Sequence, residues 1–173
     1  CPVAYQMSAV HALEAALGIV IPPDIRRLRR LLYCAEWIQS HALHIYLLHA
    51  PDFLGYESAL SLSKDHPEIV ERGLRLKKVG NDLLEVLGGR ATHPVSVCVG
   101  GFYKTPRRKE LMALHESLAW GLEAARVTAR WAAQLPLPDL AVDYDCVALS
   151  HPDESPMNDG RILLSSGLGL PAA

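Results

Sequence analysis

Three stretches of this chain, about 25–50, 66–87 and 106–134, carry apolar residues at helical three-and-four spacing, and residues that stop a helix bound each of them. Runs of this length, about twice the mean helix, leave room for only a minor sheet. In the first run Leu28, Leu31, Ala35, Ile38, Ala42 and Ile45 form one stripe. Pro51 biases Ala50 away from helix, so "APDFLG" is expected to end the run. The second run starts well: Asp65 can cap, Pro67 sits in the first turn, and Glu68 completes a capping-box spacing. It ends at Gly88-Gly89. The third opens at Thr105-Pro106 and is stopped after Gln134 by "LPLPD".

A shorter helix precedes these. In "CPVAYQMSAVHALEAALG" the residues Val3, Met7, Val10, Leu13 and Leu17 fall at helical spacing, with Gly18 as the stop and "VIPPD" as the break. Strands are expected at about 95–99 in "PVSVCV", at 141–149 and at 161–166, and "NDG" supplies hairpin chemistry before the last. The three are expected to form one minor sheet at one end. The fold class is mainly α: a long-helix bundle with a minor antiparallel β element. The 173 residues are half hydrophobic and 21% charged, which is globular composition. No repeat or low-complexity segment interrupts them.

A net charge of −2 gives no general attraction to nucleic acid or to anionic membrane. The densest basic clusters, "DIRRLRRLL" and "KTPRRKE", sit at helix starts and read as solvated faces. No apolar run reaches the roughly 20 residues of a membrane span. The four cysteines, Cys1, Cys34, Cys98 and Cys146, form no C-x-x-C pair, and reduced thiols in a cytoplasmic protein are expected. Cys34, Cys98 and Cys146 read as small hydrophobes of core or strand. Cys1 differs, because a helix start favours a thiolate.

Two segments carry chemistry by residue type. "WIQSHALHIYLLHAPD" holds His41, His44 and His49. On an α-helix His41 and His44 lie about 60° apart, and His49 falls about 80° to the other side of His41. One ion cannot easily take all three, and H-E-x-x-H is absent. "GGRATHPVSVCVGG" places Arg90 and His93 where a helix gives way to a strand, a common location for site residues. Neither phosphate-loop motif is present.

Taken in order, "CPVAYQMSAVHALE", "SHALHIYLLHAPDFLG", "GGRATHPVSVCVGGFYK" and "VALSHPDESPMNDGRI" resemble the large (alpha) subunit of nickel-iron hydrogenases, of the soluble, multisubunit, cofactor-coupled type. The resemblance covers essentially the whole chain. It implies reversible oxidation of H2 to protons and electrons. The electrons pass to an iron-sulfur small subunit, then onward to a soluble acceptor such as NAD(P), through NAD(P)-linked subunits. The implied cofactor is a nickel-iron centre with CO and cyanide on iron, held by four cysteines of two C-x-x-C motifs. Cys1 aligns with the second cysteine of the first motif and would bridge the two metals. His41, His44, Arg90 and His93 are the candidates for the surroundings of that centre. Relatives often carry histidine four residues after this cysteine, where this chain has Tyr5, so that role is not carried over. Residues 1–173 are accordingly expected to be a partial large-subunit domain, truncated at both ends and inactive alone. The metal-free quinone-site subunit of respiratory complex I is an alternative with the same fold, and a non-catalytic helical interaction module is another.

Overall fold

The computed structural model describes residues 2–158 and 160–171. Cys1 lies outside them, as does Asp159 of the "NDG" turn. Helix α1 spans Pro2–Leu17 and α2 spans Pro23–Leu43. A π-helical segment, His44–His49, continues α2 into the short α3, Ala50–Leu54. Then come α4, Ala59–Asp65; α5, Pro67–Gly88; α6, Arg108–Met112; and α7, His115–Ala132. No helix among the described residues is long and apolar enough to cross a membrane.

Glycine closes the helices as backbone chemistry requires. Gly18 takes φ 66°, and its N–H bonds Ala15 O at 3.3 Å while Ile19 N–H bonds Glu14 O at 2.9 Å. This paired arrangement satisfies the carbonyls at a helix end. Pro51 does not end the first run as expected. The Ala50 N–H reaches back to Ile45 O in the wider π register, and the proline falls in the first turn of α3, where its missing donor is tolerated. The run ends instead at Gly55, φ 78°.

Asp65 is not the cap of α5. It closes α4 and accepts from Tyr56 Oη at 3.1 Å, while His66 occupies the N-cap position without a side-chain bond. The run at 106–134 is broken in two. Glu110 accepts from the Arg107 backbone N–H at 2.7 Å and so starts α6. The tight Leu114-to-Leu111 turn that follows lets Leu111, Leu114 and Leu118 all pack on the core.

Helices α2 and α5 form the spine, packed along most of their lengths. They approach closely because Gly80 carries no side chain: a Cβ there would lie 2.5 Å from Gln39 N and 2.9 Å from Ala35 O. One core cluster joins α1 to this spine through Val3, Met7, Leu32, Leu83 and Leu87. A second, built on Tyr46, Leu62, Val70, Leu76 and Ala124, joins the π segment, α4, α5 and α7.

The strands form two sheets rather than one. β1, Val97–Cys98, and β2, Gly101–Phe102, make a small hairpin that turns at Gly100, φ 84°. β3, Val147–Ser150; β4, Arg161–Leu164; and β5, Gly169–Pro171, form an antiparallel sheet in that order, with Ser150 opposite Arg161 and Val147 opposite Leu164. The expected strand over 141–149 begins only at Val147: Cys146 still accepts from Ser165 N–H at 2.9 Å, but Val142 and Tyr144 before it stay exposed. The β3–β4 connection runs over residues 151–160, longer than a two-residue turn. Glu154 ties it to α2 through Arg30 at 2.8 Å and Arg26 at 3.5 Å.

Candidate functional site

Helix α1 is apolar nearly all round, and three polar ties hold it. At its first turn the Val3 N–H donates to Glu36 Oε1 of α2 at 3.2 Å. One turn on, Gln6 Nε2 donates to Pro94 O at 2.6 Å, which brings the turn after α5 against α1. At the far end Arg29 donates twice to Glu14, at 2.8 and 2.6 Å. Glu14 also accepts from Gly100 N–H at 2.8 Å, and Arg29 donates to Cys98 O at 3.2 Å, so the pair pins the β1–β2 hairpin as well.

Arg29 is fully buried and Glu14 nearly so. The expectation that "DIRRLRRLL" is a solvated face therefore fails at Arg29, the one position of the cluster that points inward to meet a carboxylate. The Arg29 guanidinium holds the Glu14 carboxyl below its ordinary value, Gly100 N–H assists, and burial opposes. Burial pushes the Tyr33 phenol up to about 12.

Glu36 is 2% exposed, and its second oxygen, Oε2, has no hydrogen-bond partner among the described residues. Gln6 Oε1 is likewise buried and unpartnered. Two acceptors without donors among the described residues thus lie at the first turns of α1, Gln6 Oε1 on that helix and Glu36 Oε2 on α2. Sequence reasoning missed both. The available signal was a lone Glu inside the apolar "LLYCAEWI".

The other candidates are dispersed. The Arg90–His93 turn approaches α1 through Pro94, with both side chains exposed and His93 at φ 52°. His41 is five residues beyond Glu36, about 140° around α2. It lies against Trp37 at 6.0 Å between ring centroids. It faces a partly open apolar cavity of about 510 Å³ between α2, α5 and α7, whose wall also includes Cys34, Ile45, Leu76, Gly121 and Thr128. His44 Nδ1 bonds Ser40 O at 2.6 Å within its own helix. Its ring lies 6.0 Å from that of His49. That corrects the expected separation on an α-helix, because the π register sets residues five apart over one another.

Tyr46, also in the π segment, is fully buried. Its Oη lies 2.6 Å from Thr128 Oγ1 and accepts from Arg72 Nε at 2.8 Å, and its ring stacks on Trp131 at 5.3 Å. Among the described residues no three His, Cys, Asp or Glu side chains converge on a point. Cys34 and Cys98 are half-buried and Cys146 is exposed.

Residues 1–72 match the family model described as nickel-dependent hydrogenase. The chain is 42% identical over 116 residues to the alpha subunit of sulfhydrogenase 2 of Pyrococcus furiosus, covering 67% of this chain and 28% of that protein. It is 37% identical over 135 residues to the alpha subunit of sulfhydrogenase 1 of the same organism, covering 78% of this chain and 32% of that protein. The alpha subunit of the coenzyme F420 hydrogenase of Methanosarcina barkeri is 35% identical over 120 residues, covering 65% of this chain and 26% of that protein. Among solved structures, an NAD+-reducing [NiFe]-hydrogenase in the H2-reduced state superposes with a TM-score of 0.75 at 26% identity, over 98% of this chain and 42% of that one. The chain thus spans about a third or less of the length of the sulfhydrogenase subunits that it matches.

Proposed function

The chain belongs to the nickel-dependent hydrogenase family, and on that premise we propose that it forms part of a catalytic large subunit that oxidises H2 reversibly to protons and electrons. The observation that carries the reading is the overlap of the family match, residues 1–72, with the clamp that Glu36 and Arg29 place on α1. The electrons pass to an iron-sulfur small subunit, then to a soluble acceptor such as NAD(P), a choice supported by the NAD+-reducing enzyme that shares the fold. A cytoplasmic location goes with this reading.

The residues present fit one corner of a nickel-iron centre. Cys1 is the soft thiolate that such metals take. Glu36 Oε2, buried and without a donor among the described residues, lies at the same end of α1. Cys1 would be the ligand from this chain, on an iron that also carries CO and cyanide. Bound there, the nickel-iron group supplies the Lewis acidity for heterolysis of H2. The chain's own residues do the positioning. Glu36 holds the first turn of α1, Gln6 fixes the Pro94 turn beside it, and the Glu14–Arg29 pair sets the tilt of the helix. Arg90 and His93 sit on that turn as charged and titratable groups at the rim. His41 and His44 lie on other faces of α2 and remain candidates for the surroundings of the apolar cavity and the π segment.

The test is a Cys1→Ser variant of the enzyme that contains this chain. Nickel and iron are measured by elemental analysis beside dye reduction under H2. Wild type should hold both metals and reduce dye, and the variant should do neither. A variant that keeps its full nickel would show that Cys1 is not a ligand.

A further inference from the structure

A helix leaves its first N–H groups unsatisfied, and a side chain just before the helix usually meets one of them. Among the described residues α1 has no such cap: Pro2 opens it, and no acidic residue lies in its first turn. The Val3 N–H is met from 33 positions along the chain, by Glu36. A carboxylate this buried requires compensation, and the positive end of α1 supplies part of it. The remaining oxygen has no partner among the described residues.

The placement also divides the clamp in two. Glu36 and Arg29 are seven residues apart on α2, about 10 Å along one face. They grip Val3 and Glu14 at opposite ends of an antiparallel α1. The Arg29 grip secures the end near the β1–β2 hairpin. The Glu36 grip secures the end that leads to Cys1.

We propose that Glu36 is the positioning residue for the thiol-bearing end of α1. Its Oε1 sets where the first turn sits. The inference rests on the hydrogenase reading, in which Cys1 is a ligand. Helix α1 then transmits the position of α2 to the thiolate, and loss of the acceptor loosens that thiolate without removing it.

The experiment compares Glu36→Gln and Glu36→Ala in the multisubunit enzyme. It reads nickel and iron per large subunit, the nickel electron paramagnetic resonance spectrum, and thermal melting. Glu36→Gln keeps an oxygen for the Val3 N–H and should load nickel as wild type does. Glu36→Ala should weaken nickel retention against a chelator by about 10- to 100-fold, the range for residues that orient a ligand, and should broaden the nickel spectrum. If Glu36→Ala does not assemble, Glu36→Asp, which withdraws the acceptor by one methylene, should show the same loss. Normal nickel retention and an unchanged spectrum in Glu36→Ala would overturn the proposal. So would a Glu36→Gln variant as impaired as Glu36→Ala. Wild-type enzyme without nickel would instead overturn the hydrogenase reading.

Discussion

At Arg29 a charge that reads as one of four on a basic helix start is fully buried and spends its donors on Glu14 and Cys98 O. Removing one partner of a buried pair strands the other, at about 3–5 kcal/mol. Arg29→Met should therefore lower the unfolding free energy by that order, read from the urea midpoint. The pair also fixes a pH dependence. Glu14 sits below its ordinary value of 4.5 in the folded chain, so the unfolded state binds more protons as pH falls. The stabilisation is fully present above about pH 4.5 and is lost as pH drops through the folded value. In Arg29→Met that loss should vanish, giving a shallower fall of melting temperature between about pH 6 and pH 3. Parallel acid limbs in the two proteins would contradict it. The sequence made the helical stripe around Arg29 legible but not the partner, because Glu14 and Arg29 meet only when α1 folds back on α2. Glu36 was hidden for the same reason: its Val3 bond exists only between two helices.

The long helices were legible because their apolar period and their glycine stops are local. Gly18, Gly55 and Gly89 all take left-handed φ at helix ends. The π segment was not legible, because an inserted residue changes the register without changing the composition. Its results, the His44–His49 approach and the tolerated Pro51, follow from that register. The close spine of α2 and α5 offers a direct test of the element packing. A Cβ at Gly80 would meet Gln39 N at 2.5 Å, against backbone that cannot swing aside. Gly80→Ala should destabilise by about 1–3 kcal/mol as overpacking does. At Gly18 the space is open but φ is 66°. Gly18→Ala should cost about 1–2 kcal/mol from the backbone alone. Arg29 packs α1 on the same α2 that Gly80 displaces, so Gly80→Ala with Arg29→Met should depart from additivity. Gly18 closes α1 beside Glu14, whose carbonyl meets the Ile19 N–H, so Gly18→Ala with Arg29→Met should depart from it too. Additive behaviour in the Gly80 pair would show that α2 does not move when Gly80 is filled.

For the molecule as a whole, the distribution of apolar surface is the informative quantity. A helix that is apolar all round is one that other structure encloses. Helix α1 buries Val3, Met7 and Val10 on one side, yet Tyr5 is 80% exposed and Leu17 66% exposed on the other. Val20, just beyond it, is 92% exposed. The cavity between α2 and α7 adds a second apolar surface, with Trp37 and Leu122 at its open side. Two such surfaces on one chain exceed what a monomeric protein ordinarily shows to water. The expected consequence is that the chain by itself binds an apolar dye such as ANS and self-associates at micromolar concentration. A Leu13→Ser, Leu17→Ser, Val20→Ser variant should lower both, since these side chains are exposed on α1's outer face and just beyond its end. Melting of the variant should match wild type, because none of the three contributes to the buried clusters. Light scattering across a concentration series, with ANS fluorescence at each point, makes the measurement. A wild-type chain that stays monomeric and dark to the dye would show that the outer face of α1 is covered by the chain's own residues. An unstable triple variant would show that those three residues are packed.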